Sequence, residues 1–349
     1  MKLVLSEEQR QLREAVRGFL RTASPLPKVR EGYDPQVYAR LNGELGLAGL
    51  IIPEEYGGAG AGLAELAVAL EETGAALLPG PFLATSFAAI ALTGGAAAGQ
   101  AAVPADKELL AGIAEGRITA TFTETELSCD DGTVSGTPAQ VLSGMDADVL
   151  VAPARDGGGA PVLVAVELSG PGVTRTALDT LDLTRGQARV VLEGAPARVL
   201  GPAPESGIRD RLCVALAAEQ LGVMRAALDA IVAYAKIRVA FGRYIGSYQG
   251  VKHKLADMHC KLEQAESIVR YAAWAADEAP EELPGAAALA QAYVGRACFE
   301  VARDHLLLHG GIGFTWEHDA HLFYKRAKAD EVLLGPPRLH RARLAQLVV

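Results

Sequence analysis

The sequence contains no uninterrupted apolar run approaching the ~18 residues that a membrane span needs, although half of its residues are apolar. Its first residues, MKLVLSEEQRQLREAV, turn charged after the fifth, so they have neither the apolar stretch nor the cleavage site of a secretory signal. A cytoplasmic location is the expectation. The four cysteines, Cys129, Cys213, Cys260 and Cys298, form no CxxC pair. This argues against a disulfide framework or a zinc knuckle and leaves them as expected buried thiols. A net charge of −9 without any Lys/Arg run argues against nucleic acid as the main partner, and an anionic ligand would need a local basic site. There is no GxGxxG fingerprint or P-loop, and no repeat that would mark a solenoid.

The residues that are present divide the chain by texture. From Leu5 to about Leu77 the apolar spacing is helical, and Ser6 with Glu8 and Gln9 behind it predicts a capped helix whose apolar side includes Leu12, Val16 and Leu20. A glycine-rich turn from Pro53 to Gly60 precedes a second helical stretch, Leu63 to Leu78. After the small-residue stretch Gly94 to Gly99 the texture changes near Ile118. ITATFTETEL, VLVAPA, PVLVAVEL and ARVVLEG alternate or run in short β-rich segments. From Ile208 onward, long segments of helical period without internal proline return. The order is helical, then β, then helical, with boundaries predicted at 1–116, 117–204 and 205–349. It is not the alternating βαβ pattern of a doubly wound fold. The expected fold class is mainly α with a middle β domain.

Three motifs, spread over nearly the whole chain, carry a resemblance. They are ELGLAGLIIPEEYGGAGAGLAELAVALEETG (Glu44 to Gly74), RVAFGRYIGSYQ (Arg238 to Gln249) followed by LADM, and HGGIGF (His309 to Phe314). The sequence resembles the acyl-CoA dehydrogenase family. That resemblance implies an N-terminal helical domain, a β-barrel-like middle domain and a C-terminal four-helix bundle, with FAD held between subunits. It also implies removal of the α and β hydrogens of an acyl-CoA thioester, which requires a positioned carboxylate base and a flavin, with an electron-transferring flavoprotein as acceptor. It assigns cofactor contacts to Arg238, Phe241, Gln249, His309, Gly310, Gly311 and Gly313. Read physically, Arg238 offers a planar fork of donors to a pyrophosphate, or simply stabilises its own helix end. Three glycines in four positions suggest close backbone approach to a ligand, or a helix stop.

The same resemblance exposes two substitutions. One common version of the family carries its glutamate base where this chain has Leu334. The other carries it near the start of the first bundle helix, at Leu212 here. Glu219, two turns beyond Leu212 and ~10 Å along the axis, is the remaining candidate for the catalytic base, and its alternative is a structural glutamate paired with an arginine. Glu331, in the charged helix end KRAKADE, is a further candidate whose default role is a solvated one. In the middle domain, Phe122-Thr123-Glu124-Thr125 resembles the start of the family's Thr-Glu-Pro segment without its following loop. Gly136 to Leu142 stands where a flavin-packing tryptophan is usual. These losses resemble the supporting subunit of short actinobacterial, steroid-side-chain enzymes, in which two unlike subunits associate and one supplies the base. The expected partners are thus an acyl-CoA substrate and a homo- or hetero-oligomer with another such subunit. His305, His309, His318 and His321 lack an acidic third ligand at the usual spacing and are not read as a metal site. Phe314 and Trp316 are expected as anchors in the core or in a subunit interface.

Overall fold

The computed structural model describes residues 3–94, 106–203 and 207–348. Gly95 to Gly99 of the small-residue stretch and the expected boundary near 204 lie outside the described residues. The N-terminal part comprises α1 (Glu7–Ala23), α2 (Leu26–Val29), α3 (Pro35–Leu45), α4 (Leu63–Ala75), α5 (Phe82–Leu92) and α6 (Lys107–Ala114). Ser6 accepts from the Gln9 backbone N–H while the Gln9 side chain accepts from the Ser6 N–H, the reciprocal cap the sequence suggested. α4 ends at Ala75, three residues before the expected Leu78, because Leu77 turns into the left-handed region at φ 49°. The sequence reading did not single out α5. All eleven of its residues are buried, so no amphipathic stripe betrays it.

The middle part holds β1 (Ala120–Phe122), β2 (Leu127–Asp130), β3 (Thr133–Gly136), β4 (Val141–Leu142), β5 (Val149–Arg155), β6 (Pro161–Glu167), β7 (Val173–Ala177) and β8 (Gln187–Pro202). The sheet closes on itself. β5 pairs with β6, β6 with β8, β8 with β3, β3 with β2, and β2 in parallel with β5. Closure removes the exposed edges that an open sheet of this size would present. β5 reads as a continuous apolar run because both its faces are covered. Leu150, Ala152 and Ala154 enter the barrel interior, while Val149 and Val151 pack with Ala88, Leu92, Leu109 and Ile113 of α5 and α6.

The C-terminal part is α7 (Ile208–Ile237), a short hairpin of β9 (Val239–Ala240) and β10 (Arg243–Tyr244), then α8 (Gln249–Glu278), α9 (Leu283–Leu308), α10 (Ala320–Leu333) and α11 (Pro337–Val348). α7 is the central element and packs most extensively against α4 and α9. Its approach to α4 is backbone on backbone, since a Cβ on Gly222 would fall 1.8 Å from the Glu71 carbonyl oxygen and one on Gly74 would fall 2.2 Å from that of Glu219. Glu71 is fully buried beside this crossing and is paired with Arg13, Arg225 and Arg270, which ties α1, α4, α7 and α8 together. Among the described residues no helix is long and apolar enough to cross a membrane. The cysteine expectation holds for Cys129, Cys213 and Cys298 but not for Cys260, which lies on the outer face of α8 and is exposed.

Candidate active site

α7 stops at Ile237, and Arg238 caps it in extended geometry with its N–H still donating to Tyr234 O. The chain then reverses through Phe241 and Gly242, at φ 49° and 77°, so both central residues of a two-residue hairpin are left-handed. Glycine accepts that conformation freely, whereas phenylalanine is held in it at a cost of about 1–2 kcal/mol. The ring gains nothing within this chain in return, because it is 98% exposed. The hairpin thus presents a strained aromatic side chain to solvent at its tip. Tyr248 donates to Ala240 O at 2.9 Å and the Arg243 guanidinium lies 3.8 Å over its ring, which stiffens the hairpin base. Gln249 is the first residue of α8, and both Gln249 and Arg238 are exposed.

The glycine turn follows α9, where Gly310 to Phe314 forms a single 3-10 turn. His309 donates from Nδ1 to His305 O at 2.8 Å, and its ring lies 4.5 Å from that of Tyr234 and 4.3 Å from that of His318. This stack joins the glycine turn to the last turn of α7, immediately before Arg238, so two motifs 60 residues or more apart in sequence are brought together. The three glycines are not equivalent. Gly310 has φ 65°, and a Cβ on Gly313 would meet Leu306 O at 2.6 Å, so the chain's own geometry calls for both. Gly311 has neither constraint and open space around its Cβ position. Nothing within this chain requires a glycine there. Phe314 and Trp316 are exposed and so do not anchor the core; the Trp316 ring carries Lys325 on its face and His321 at its edge. Arg30, just past α2, bonds Asp319 and the Trp316 carbonyl and fixes this turn to the N-terminal helices. His305 is buried, and that burial pushes its pKa down to about 3, so it is neutral at ordinary pH. Among the described residues no three His, Cys, Asp or Glu side chains are arranged to hold a metal ion.

The two positions at which the resemblance leads one to expect a base are apolar and closed. Leu212 is fully buried in the second turn of α7, and Leu334, 6% exposed, follows α10. The Leu334 carbonyl accepts from Arg209 Nη2 at 2.7 Å and from His340 Nε2 at 3.0 Å, and Arg209 also pairs with Glu124 after β1. Glu219 is buried with both oxygens engaged by guanidiniums, Oε2 by Arg185 and Oε1 by Arg326 at 2.9 Å. This is the arginine-paired arrangement, in which two guanidiniums hold the carboxylate ionised and buried away from solvent. Glu331 is likewise paired, with Lys328 at 2.6 Å and Arg296 at 3.4 Å. The partners of Glu219 escaped the sequence reading because they come from positions 34 and 107 residues away. The one local signal was Arg326 and Asp330, four residues apart on an otherwise apolar helix face.

Residues 6–114 match the family description "Acyl-CoA dehydrogenase, N-terminal domain" and residues 210–348 match "Acyl-CoA dehydrogenase, C-terminal domain". The acyl-CoA dehydrogenase IpdE2 of Mycolicibacterium smegmatis is 36% identical over 97% of this chain and 98% of its own length. The chain belongs to the acyl-CoA dehydrogenase family. The acyl-CoA dehydrogenase FadE34 of Mycobacterium tuberculosis is also 36% identical, over 96% of this chain but only 47% of its own length. Among solved structures, a variant of the Tcur3481-Tcur3483 steroid ACAD superposes with a TM-score of 0.87 at 30% identity, covering 98% of both chains. Membership makes this an FAD-associated oxidoreductase fold for acyl-CoA thioesters, with a steroid enzyme among the similar structures.

Proposed function

We propose that this chain is the flavin-supporting subunit of a heteromeric acyl-CoA dehydrogenase, in which a second, unlike chain supplies the catalytic base. The observation that carries this reading is the pair of buried leucines, Leu212 and Leu334, at both places where the family keeps its glutamate. Leucine takes no proton, and Glu219 is bound on both oxygens. FAD, when bound, accepts the hydride from the β carbon of the acyl group. This chain's part is to hold it. Arg238 and Gln249 would meet the pyrophosphate side, with the Phe241 tip and the open face at Gly311 pressed against the cofactor or the neighbouring subunit. The exposure of all these groups in the single chain fits a site completed by another chain. The middle domain, lacking the tryptophan at Gly136 to Leu142, gives the flavin ring less of a wall. Glu219 in this reading is a structural carboxylate.

Two relatives support a two-chain arrangement. FadE34 is about twice as long as the part matching this chain, and the steroid enzyme is named for two gene products. On this reading the substrate is a bulky acyl-CoA thioester, the enzyme works in the cytoplasm, and an electron-transferring flavoprotein takes the electrons; the steroid enzyme among the similar structures supports the bulky acyl group.

The test is the flavin absorbance and native mass of the chain expressed alone, and again with an acyl-CoA dehydrogenase chain that has glutamate at the position matching Leu212 or Leu334. The expected result is a colourless or inert chain alone that gains flavin and an acyl-CoA-bleachable spectrum with its partner. Near-stoichiometric FAD on the lone chain, bleached by an acyl-CoA, would overturn the proposal.

A further inference from the structure

The charges that close on Glu219 form a seam between the middle sheet and the helical bundle. Asp182, Thr184 and Arg185 come from the loop between β7 and β8, Glu219 from α7, and Arg326 and Asp330 from α10. None of these five charged side chains is more than 5% exposed. Directly after Arg185 the chain enters the pairing with β4: Ser143 N donates to Gly186 O at 2.8 Å, and Gln187 is opposite Leu142. The seam therefore fastens the end of the Gly136 to Leu142 segment against α7 and α10, the two helices next to Leu212 and Leu334.

Three carboxylates face two guanidiniums in this buried place, one negative charge too many for a site without water. Oxygen by oxygen, the hydrogen bonds show where a balancing proton fits. Asp182 Oδ1 accepts from the Thr184 N–H and hydroxyl, and its Oδ2 accepts from Arg326 at 2.6 Å. Glu219 has both oxygens on arginines. Asp330 gives Oδ1 to Arg185, while its Oδ2 is buried with no partner. We infer that Asp330 is a positioning residue that carries a proton on Oδ2, and that this proton closes a latch holding the β7–β8 loop to α7 and α10.

The surrounding groups fit that role. Burial raises Asp330 to about 7, with Arg185 and Arg326 opposing and Glu219 and Asp182 adding to the rise. Asp182, despite its burial, is held below the ordinary carboxylate range by Arg326 and Arg185. From α9, Cys298 faces the cluster as a thiol kept neutral by burial. From α7, the Gln220 amide donates to the Asp330 carbonyl at 3.1 Å. Glu331, the next residue, is satisfied by Lys328 and Arg296. None of these neighbours supplies the missing positive charge. When the loop lifts away and water reaches the cluster, the burial that raises Asp330 is relieved and its carboxyl moves back toward the ordinary range, so opening releases a proton below about pH 7. Opening should rise about tenfold per pH unit within this window and level off above it.

The experiment is hydrogen exchange by mass spectrometry on the full chain, following peptides that cover 178–186 and correcting for the intrinsic pH dependence of exchange. It needs neither flavin nor partner, so its outcome is independent of the subunit proposal. In the wild type, opening is expected to climb by up to tenfold per unit from about pH 5 to about pH 7 and then flatten. Asp330→Asn, which copies the protonated acid, should stay closed with a flat profile. A flat wild-type profile, or an Asp330→Asn variant that keeps the wild-type slope, would overturn the latch. The wild-type profile is decisive even if the variant fails to fold.

Discussion

Replacing Gly222 by alanine tests how closely α4 and α7 are joined. The added methyl would fall 1.8 Å from Glu71 O, 2.7 Å from the Glu71 carbonyl carbon and 2.8 Å from Ala75 N, all backbone atoms that no rotamer change can move. Restoring ordinary contact requires the helices to part by about 1.5 Å, and a gap of that order forfeits a large share of the dispersion energy along the crossing. Overpacking of this kind costs about 3 kcal/mol, and alanine returns about 1 kcal/mol through its better helix propensity. The net loss of about 2 kcal/mol should lower the apparent Tm by ~3 °C for a chain of 349 residues. Gly18→Ala is the control, because Gly18 lies inside α1 with nothing within 4 Å of its Cβ position. It should gain about 1 kcal/mol and raise Tm slightly. Thermal unfolding followed by far-UV circular dichroism reads both. A Gly222→Ala protein that melts with or above the wild type would refute the inference that backbone contact sets this crossing.

Arg326→Met should be more damaging, by about 3–5 kcal/mol in urea unfolding, since it strands Asp182 and Glu219 as buried, half-paired carboxylates; a loss below about 1 kcal/mol would contradict the burial of the cluster. In a thiol titration of the native chain, Cys260 alone should react quickly, with Cys213, pushed up to about 12 by burial, and Cys298 reacting only on unfolding. His305 is depressed by burial from 6.5 to about 3, so its contribution to stability is complete above about pH 6.5 and is lost as pH falls toward 3. His305→Leu should therefore flatten the acid limb of the stability profile, and an unchanged limb would show that other groups govern it. Leu334→Glu, measured in the complex with the partner chain, should lower Tm and leave turnover per partner base unchanged; a rise in turnover would show that this chain's own cleft binds substrate.

What could be read from the sequence was what is local. The Ser6 cap, the turn after Pro53, the β texture after Ile118 and the long helices after Ile208 each depend on residues within a few positions of one another. α5 was missed for the opposite reason, since complete burial erases the periodicity that marks a helix. The hairpin at Phe241 was visible as a motif but not as a left-handed turn, because phenylalanine is not the residue that such a turn favours. The latch was invisible because Asp182, Glu219 and Asp330 meet only after the sheet and the bundle have packed. Cys260 departs from the expectation because it lies among the polar residues His259 and Lys261 of α8, on a face that the general tendency of thiols to be buried does not mark.

If Leu212 and Leu334 replace a base, as proposed, their positions explain how it can be lost while the fold stays whole. Leu212 is in the second turn of a helix and Leu334 just past the end of another, so neither belongs to the seam that fastens the domains. A glutamate at either place would be a carboxylate in a buried setting and costly to desolvate. Leucine removes that cost and adds buried apolar area. The charges of the seam are different in kind, because every guanidinium there answers a carboxylate from another element, and removing one strands its partner. In the proposed two-chain enzyme, a chain relieved of catalysis would gain stability by giving up the first set of carboxylates and lose it by giving up the second. Leu212 and Leu334 beside an intact Asp182, Arg185, Glu219, Arg326 and Asp330 are the pattern that this proposal expects.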